Sequence, residues 1–209
     1  MSEILRFQNV TLTYQAENGE IEALTDIDFV VQKGELVSII GPSGCGKSTM
    51  LSLIAGLIKP TTGKIFVDGE EAQGDNTGYM LQKDNLLDWR TIRGNVLLGL
   101  EIRGKLENTD YVDGLLKAYG LWEFKDKRPS QLSGGMRQRA ALIRTMATRP
   151  ELLLLDEAFS ALDYQTRLVV ADDVCKILKA EQKTAVIVTH DISEPLFQKN
   201  QTACNPHDY

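Results

Sequence analysis

Residues Gly41–Met50 read GPSGCGKSTM and follow directly on the apolar run Leu36-Val37-Ser38-Ile39-Ile40. Glycine or proline fills positions 41, 42, 44 and 46, a composition that breaks regular structure. The apolar run reads as a buried strand. Lys47–Leu57 reads as a helix, with Leu51, Ile54, Ala55 and Ile58 on one face. A flexible loop between a buried strand and a helix N-terminus lets successive backbone N–H groups turn inward as an anion nest. The helix adds its own N-terminal partial positive charge.

The spacing Gly41-x4-Gly46-Lys47-Ser48 is the Walker A pattern in its strand-loop-helix context. It predicts a nucleotide site built from Gly41, Pro42, Ser43, Gly44, Cys45, Gly46, Lys47, Ser48 and Thr49. The Lys47 ammonium would reach the β- and γ-phosphates, and the Ser48 hydroxyl would ligate Mg²⁺. The alternative is a glycine-rich turn that happens to contain lysine. Cys45 inside the loop reads as packing, not as a nucleophile.

Bulk properties bound the function. The chain has 209 residues, 43% hydrophobic and 25% charged, enough for one α/β domain or a core with a small subdomain. A formal net charge of −6 argues against a nucleic-acid binder working through bulk electrostatics. No apolar run approaches the about 18 residues that cross a bilayer, and MSEILRFQNV lacks a signal pattern. Cys45, Cys175 and Cys204 have no metal-ligand spacing and fit a reducing compartment.

Ile4–Thr13 and Asp26–Val31 alternate apolar and polar residues and read as half-exposed antiparallel strands. Short strands are expected at Lys64–Val67 and Thr77–Leu81, and helices from about Thr91 to Thr148. A helix is expected at Leu168–Ala180. Leu152–Leu155 and Thr184–Thr189 are uninterrupted apolar runs, the pattern of strands buried on both faces. Their alternation with helices implies parallel strands with crossovers.

Asp156 and Glu157 end the Leu152–Leu155 run, and ligands bind at the carboxyl ends of strands in open parallel sheets. Asp156 would hold Mg²⁺ through water, and Glu157 would polarise an attacking water. An exposed acidic strand end is the other reading. Leu132-Ser133-Gly134-Gly135-Met136-Arg137-Gln138-Arg139 opens a second helix, Arg137–Ala147, and so offers a second anion-type N-terminus, or an ordinary Ser133 cap. One nucleotide does not obviously need both loops in one subunit.

Together these segments resemble the ATP-binding subunit of an ABC transporter, from about residue 4 to Glu194. LSGG at 132–135 is similar to that family's signature, and the other motifs follow the family's order. The resemblance implies that Tyr14 stacks on adenine and that Gln82 is the Q-loop glutamine, a Mg²⁺ ligand and sensor. It implies that Ser133, Gly134, Gly135 and Gln138 contact ATP. Asp163, in Ser160-Ala161-Leu162-Asp163, would cross a dimer interface as the D-loop. His190, in Thr189-His190-Asp191, would contact the γ-phosphate. Catalysis would then rest on Glu157, His190, Lys47 and Gln82, the metal on Ser48, Gln82 and Asp156, with ATP and Mg²⁺ as cofactors.

The expected fold class is α/β: a P-loop NTPase core with a parallel sheet (1–87 and 149–194), an N-terminal antiparallel β subdomain and an inserted α-helical subdomain (about 88–148), all one ABC ATPase domain over 1–209. The family pattern implies a head-to-tail homodimer closing on ATP, membrane-spanning permease subunits as partners, a substrate-binding protein indirectly, and no nucleic acid. It implies a peripheral position on the cytoplasmic side of the cell membrane.

Asn85-Leu86-Leu87-Asp88-Trp89-Arg90-Thr91-Ile92 is similar to a stretch of importer ATPases of the nitrate, sulfonate and taurine type, with Asp88 in place of the usual proline. Trp89 and Leu86 are the candidates for contact with the membrane subunits; the alternative for Trp89 is a core anchor. An exporter ATPase is the rival within transport, and a soluble ABC-type ATPase of DNA repair, chromosome structure or translation the rival outside it. After Glu194 the resemblance stops: Pro195 sits inside an expected helix, and Gln198–Tyr209 contains no apolar strand. A shifted frame, a truncation or a natural short variant would each leave the sheet edge uncovered and activity impaired.

Overall fold

The computed structural model describes residues 2–16, 19–74, 76–106, 109–160, 162–189 and 201–203. Two sheets organise them. The first is antiparallel: β1 (Glu3–Ala16), β2 (Gly19–Gln32), β4 (Thr62–Val67) and β5 (Glu70–Glu71), in the order β2-β1-β4-β5. Leu5 and Phe7 point inward, and then the phase shifts so that Val10 and Leu12 do. A change of phase needs one extra residue in the strand. The register shift falls between Phe7 and Val10, where Asn9 adopts φ 46°. Phe7 stacks on Phe29 across the β1–β2 pair, ring centroids 4.6 Å apart.

The second sheet is parallel: β3 (Leu36–Ile40), β6 (Thr77–Met80), β7 (Leu152–Asp156), β8 (Thr184–Thr189) and β9 (Gln201–Ala203), in the order β6-β7-β8-β3-β9. β7 and β8 are buried at every position. Their alternate residues serve two cores, as the two-residue period of a strand dictates. Leu153, Leu155, Ala185 and Ile187 pack with α5 (Gly134–Ala147) and α6 (Tyr164–Ala180). Leu152, Leu154, Val186 and Val188 pack with α1 (Lys47–Ile54) and the antiparallel sheet. The parallel sheet is thus covered on both faces.

Between β6 and β7 lie α2 (Ile92–Val96), α3 (Leu98–Ile102), α4 (Asp110–Ala118), two 3₁₀ turns and α5. α5 carries fully buried Ala140, Ala141, Leu142, Ile143 and Met146 into the core. Among the described residues no helix is long and apolar enough to cross a membrane.

Three expectations are corrected. α1 ends at Ile54, not Leu57: Gly56 turns at φ 66°, and Leu57 is exposed. α6 starts at Tyr164, not Leu168, because the Asp163 carboxylate caps it by accepting from Thr166 N at 3.1 Å. The sheet edge, expected to lie uncovered because Gln198–Tyr209 contains no apolar strand, is covered along β3 by the polar strand β9, which pairs Gln201 with Ser38 and Ala203 with Ile40. An edge strand is held by main-chain hydrogen bonds, which polar residues make as well as apolar ones.

Because β3, β6, β7 and β8 run parallel, Ile40, Met80, Asp156 and Thr189 all end at one rim. The segments that follow them, at 41–46, 81–82 and 157, converge there.

Candidate functional site

Gly46 caps α1 in the left-handed region at φ 86°, and Gly44 sits at φ 88°. A Cβ at Gly46 would lie 2.7 Å from the carbonyl oxygen of Ala23 and 2.9 Å from Leu24 Cδ2, so both conformation and space demand glycine. The first turn of α1 has no acidic side chain, which leaves its N-terminal field open to an anion. Lys47 is only 5% exposed, and its ammonium donates to the carbonyls of Gly41 at 2.8 Å and Pro42 at 2.7 Å. The Cys45 thiol is buried beside it, Sγ to Nζ 3.8 Å. An open depression of about 200 Å³ is lined by Ser43, Gly44, Gly46, Lys47, Ser48, Thr49 and Glu157. The loop after β3 and the acid after β7 therefore face one space.

Ser48 Oγ donates to Asp156 Oδ1 at 2.9 Å, and the Tyr79 hydroxyl donates to Asp156 Oδ2 at 3.1 Å. Asp156 is 8% exposed. Burial, then the charge of Asp156 and the bond to it, push the Tyr79 phenol up to about 12. The hydroxyl and carboxylate form a hard oxygen set. Among the described residues no group of three or more His, Cys, Asp or Glu could cage a metal. The Ser48 hydroxyl and the Asp156 carboxylate are oxygen ligands of the type that Mg²⁺ takes beside waters and phosphate oxygens.

Glu157 adopts φ 43°, an uncommon backbone for a non-glycine residue, and its N–H donates to Val188 O at 2.9 Å. This bend turns the chain sharply at the end of β7. Gln82 Nε2 donates to Glu157 Oε2 at 3.3 Å and to Ser160 Oγ at 3.0 Å. Gln82 thus stands on the Glu157 side of the rim. His190 lies outside the described residues, as do Ala161 and Asp191.

Tyr14 is 44% exposed on β1, opposite Ile21. Leu12, two residues earlier on the same strand, pairs with Leu24, the residue against Gly46. Asp163 is exposed, and the Thr166 contact holds its carboxyl below the usual carboxylate range.

Ser133 caps α5, its hydroxyl accepting from Met136 N at 3.3 Å. A Cβ on Gly134 would lie 2.9 Å from Leu162 Cδ2, and one on Gly135 2.8 Å from Val170 Cγ2. The glycines let the start of α5 approach the 160s loop and α6 closely. Gln138 was grouped with these residues as a nucleotide contact. It is only 3% exposed, on the buried side of α5.

Several residues that organise the rim escaped the sequence reading. Arg137 Nε donates to Asp84 Oδ2 at 3.0 Å while its Nη1 donates to Leu132 O at 2.9 Å. Arg144 donates to the carbonyls of Asn85 and Asp84, both at 2.6 Å. The segment after Gln82 is therefore clamped onto the helix that carries Ser133–Gly135. Asn95, fully buried, accepts from Leu87 N at 2.6 Å and donates to Leu87 O and Thr91 O, each at 3.0 Å. It shapes the loop that presents Trp89, which is 71% exposed and so not a core anchor. Leu86, the other expected contact residue, is buried at 8% and faces the core. The only early signal for these residues was their charge or amide chemistry close to a motif.

Comparison with known proteins places this geometry. The family model described as ABC transporter matches residues 24–160. An uncharacterised ABC transporter ATP-binding protein, YtlC of Bacillus subtilis, is 51% identical over 92% of this chain and 75% of its own length. A taurine import ATP-binding protein, TauB of Jannaschia sp., is 40% identical over 92% of this chain and 74% of its own. Among solved structures, a dimeric post-hydrolysis form of the ATP-binding cassette MJ0796 bound to ADP and Pi has TM-score 0.75 and 35% identity, over 90% of this chain and 89% of that one.

Proposed function

From its place in the ABC transporter family, to which this chain belongs, we propose that it binds and hydrolyses ATP to energise import of a small anionic or organic solute, of the nitrate, sulfonate or taurine class. The observation that carries this reading is the single depression shared by the phosphate loop and Glu157, with Ser48 and Asp156 joined at 2.9 Å beside it.

The phosphate-loop N–H groups and Lys47 bind the β- and γ-phosphates, exchanging the present carbonyl bonds of Lys47 for phosphate oxygens. Tyr14 offers its exposed ring to the base. Ser48, Asp156 and Gln82 would hold Mg²⁺, which supplies charge neutralisation on the phosphates when bound. Glu157, at the far wall of the depression, accepts the proton of the attacking water, and Gln82 orients Glu157. His190 meets the γ-phosphate in this reading.

Ser133–Gly135 of a second copy would close on the same nucleotide, with Asp163 at the interface, so two chains assemble head to tail around two ATP molecules. Membrane-spanning subunits would receive the face around Trp89, and a separate binding protein would select the solute. The chain would then sit peripherally on the cytoplasmic side of the membrane. Residues 1–87 and 149–194 form the ATPase core in this scheme, and about 88–148 the part that meets the membrane subunits.

The test is Mg²⁺-dependent ATP hydrolysis by the wild-type and Glu157→Gln proteins, with affinity capture from membranes. Hydrolysis lost only in the variant, and recovery of a multi-spanning subunit, are expected. Failure of the wild-type protein to bind ATP would sink the reading.

A further inference from the structure

Asp156 has two carboxylate oxygens, and each is engaged by a different element. Oδ1 accepts from Ser48 of α1 at 2.9 Å, and Oδ2 accepts from the Tyr79 hydroxyl of β6 at 3.1 Å. Tyr79 pairs with Leu154 in the β6–β7 ladder and packs against the core shared by α1 and the antiparallel sheet. Its ring is therefore fixed by packing, and its hydroxyl reaches Asp156 along a rigid strand. Ser52 braces the Ser48 side of the same corner: its Oγ donates to Ser48 O at 2.8 Å.

A carboxylate with one oxygen held by a fixed donor cannot rotate freely about its last bond. Its other oxygen is then aimed at one place, here the Ser48 hydroxyl. Groups that orient a ligand in this way tune affinity for a cation by about 10–100-fold without touching it. We infer that Tyr79 is a positioning residue for the divalent-cation half of the nucleotide site, acting through Asp156. This rests on the proposal that Asp156 and Ser48 hold Mg²⁺, and it adds a residue outside every motif of the chain.

A purely structural tyrosine would behave differently. Its removal would alter folding stability and leave cation affinity alone. The experiment uses the full chain carrying Glu157→Gln, so that ATP persists, and reads Mn²⁺ binding by electron paramagnetic resonance with ATP present. Binding of ATP alone, in excess chelator, is measured in parallel. Tyr79→Phe keeps the ring and removes the donor; Tyr79→Met removes both and serves if the first variant folds poorly. Asp156→Asn is the reference.

The expected result is Mn²⁺ affinity about 10-fold or more weaker in Tyr79→Phe, with metal-free ATP affinity unchanged. Asp156→Asn should lose more. If Asp156→Asn weakens Mn²⁺ binding while Tyr79→Phe and Tyr79→Met match the parent, the inference about Tyr79 is wrong. If Asp156→Asn itself binds Mn²⁺ like the parent, the assignment of Asp156 to the cation fails, and the inference fails with it.

Discussion

The ammonium of Lys47 donates to the carbonyl of Pro42 at 2.7 Å, inside the loop that it is meant to serve. Together with the bond to Gly41 O at 2.8 Å, this holds the loop closed on its own side chain. In the proposed function these bonds hold the Lys47 ammonium ready to exchange the carbonyls for phosphate oxygens. Replacing it by alanine removes a charge-assisted hydrogen bond of about 1.5–3 kcal/mol. ATP affinity, measured by titration calorimetry, is expected to fall by about 10- to 100-fold. Unchanged affinity in Lys47→Ala would show that the phosphates bind elsewhere.

Glu157 and Gln82 share a hydrogen bond of 3.3 Å at the far wall of the site. A positioned general base typically contributes about 10²–10⁴ in rate. Glu157→Gln should therefore reduce steady-state ATP turnover by at least about 100-fold while ATP affinity stays within a few-fold. A parallel loss of affinity would point to a binding role.

Gly135 gives a prediction whose sign decides between two effects. Helix propensity favours alanine over glycine by about 0.8–1.0 kcal/mol. The Cβ would, however, sit 2.8 Å from Val170 Cγ2, and overpacking costs about 1–3 kcal/mol. Gly135→Ala is expected to lower stability in urea unfolding, and adding Val170→Ala should restore part of the loss. A stabilised single variant would contradict the close packing of α5 on α6.

What the sequence disclosed follows from where the physics is local. The Gly41–Ser48 loop was legible because phosphate binding dictates residue types at fixed spacing. β7 and β8 were legible because burial on both faces forces an unbroken apolar run. β9 was not, since its pairing with β3 rests on main-chain groups that leave no mark on composition. Trp89 and Leu86 look alike in the sequence, yet one is exposed and the other buried; the loop that separates them is shaped by Asn95, and no periodicity reports that. Arg137, Arg144 and Tyr79 escaped notice because their partners lie 53 to 77 residues away.

Asn95 is fully buried and satisfies both the N–H and the carbonyl of Leu87. Leaving buried polar groups unpaired costs about 1–3 kcal/mol each. Asn95→Ala should lower unfolding stability by about 2–4 kcal/mol, read from the urea midpoint at constant slope. A loss below the range for a single exposed residue would mean that water replaces the amide without cost.

The Arg93 hydrogen bond holds the Asp113 carboxyl below the usual carboxylate range. A depressed carboxylate adds stability above its unfolded value, about 3.9. That stability is lost as the pH falls through the lower folded value. Stability should therefore decline on acidification below about pH 5, and Asp113→Asn should make the decline shallower. An unchanged acid limb in the variant would remove this pair from the account.

In the proposed assembly the Gly41–Ser48 loop of one copy and the Ser133–Gly135 loop of another close on one ATP. The most direct measurement is the mass in solution of the Glu157→Gln protein, by light scattering, with and without MgATP. A monomer that becomes a dimer only with nucleotide is expected. A protein that binds ATP and stays monomeric at every concentration tested would contradict it.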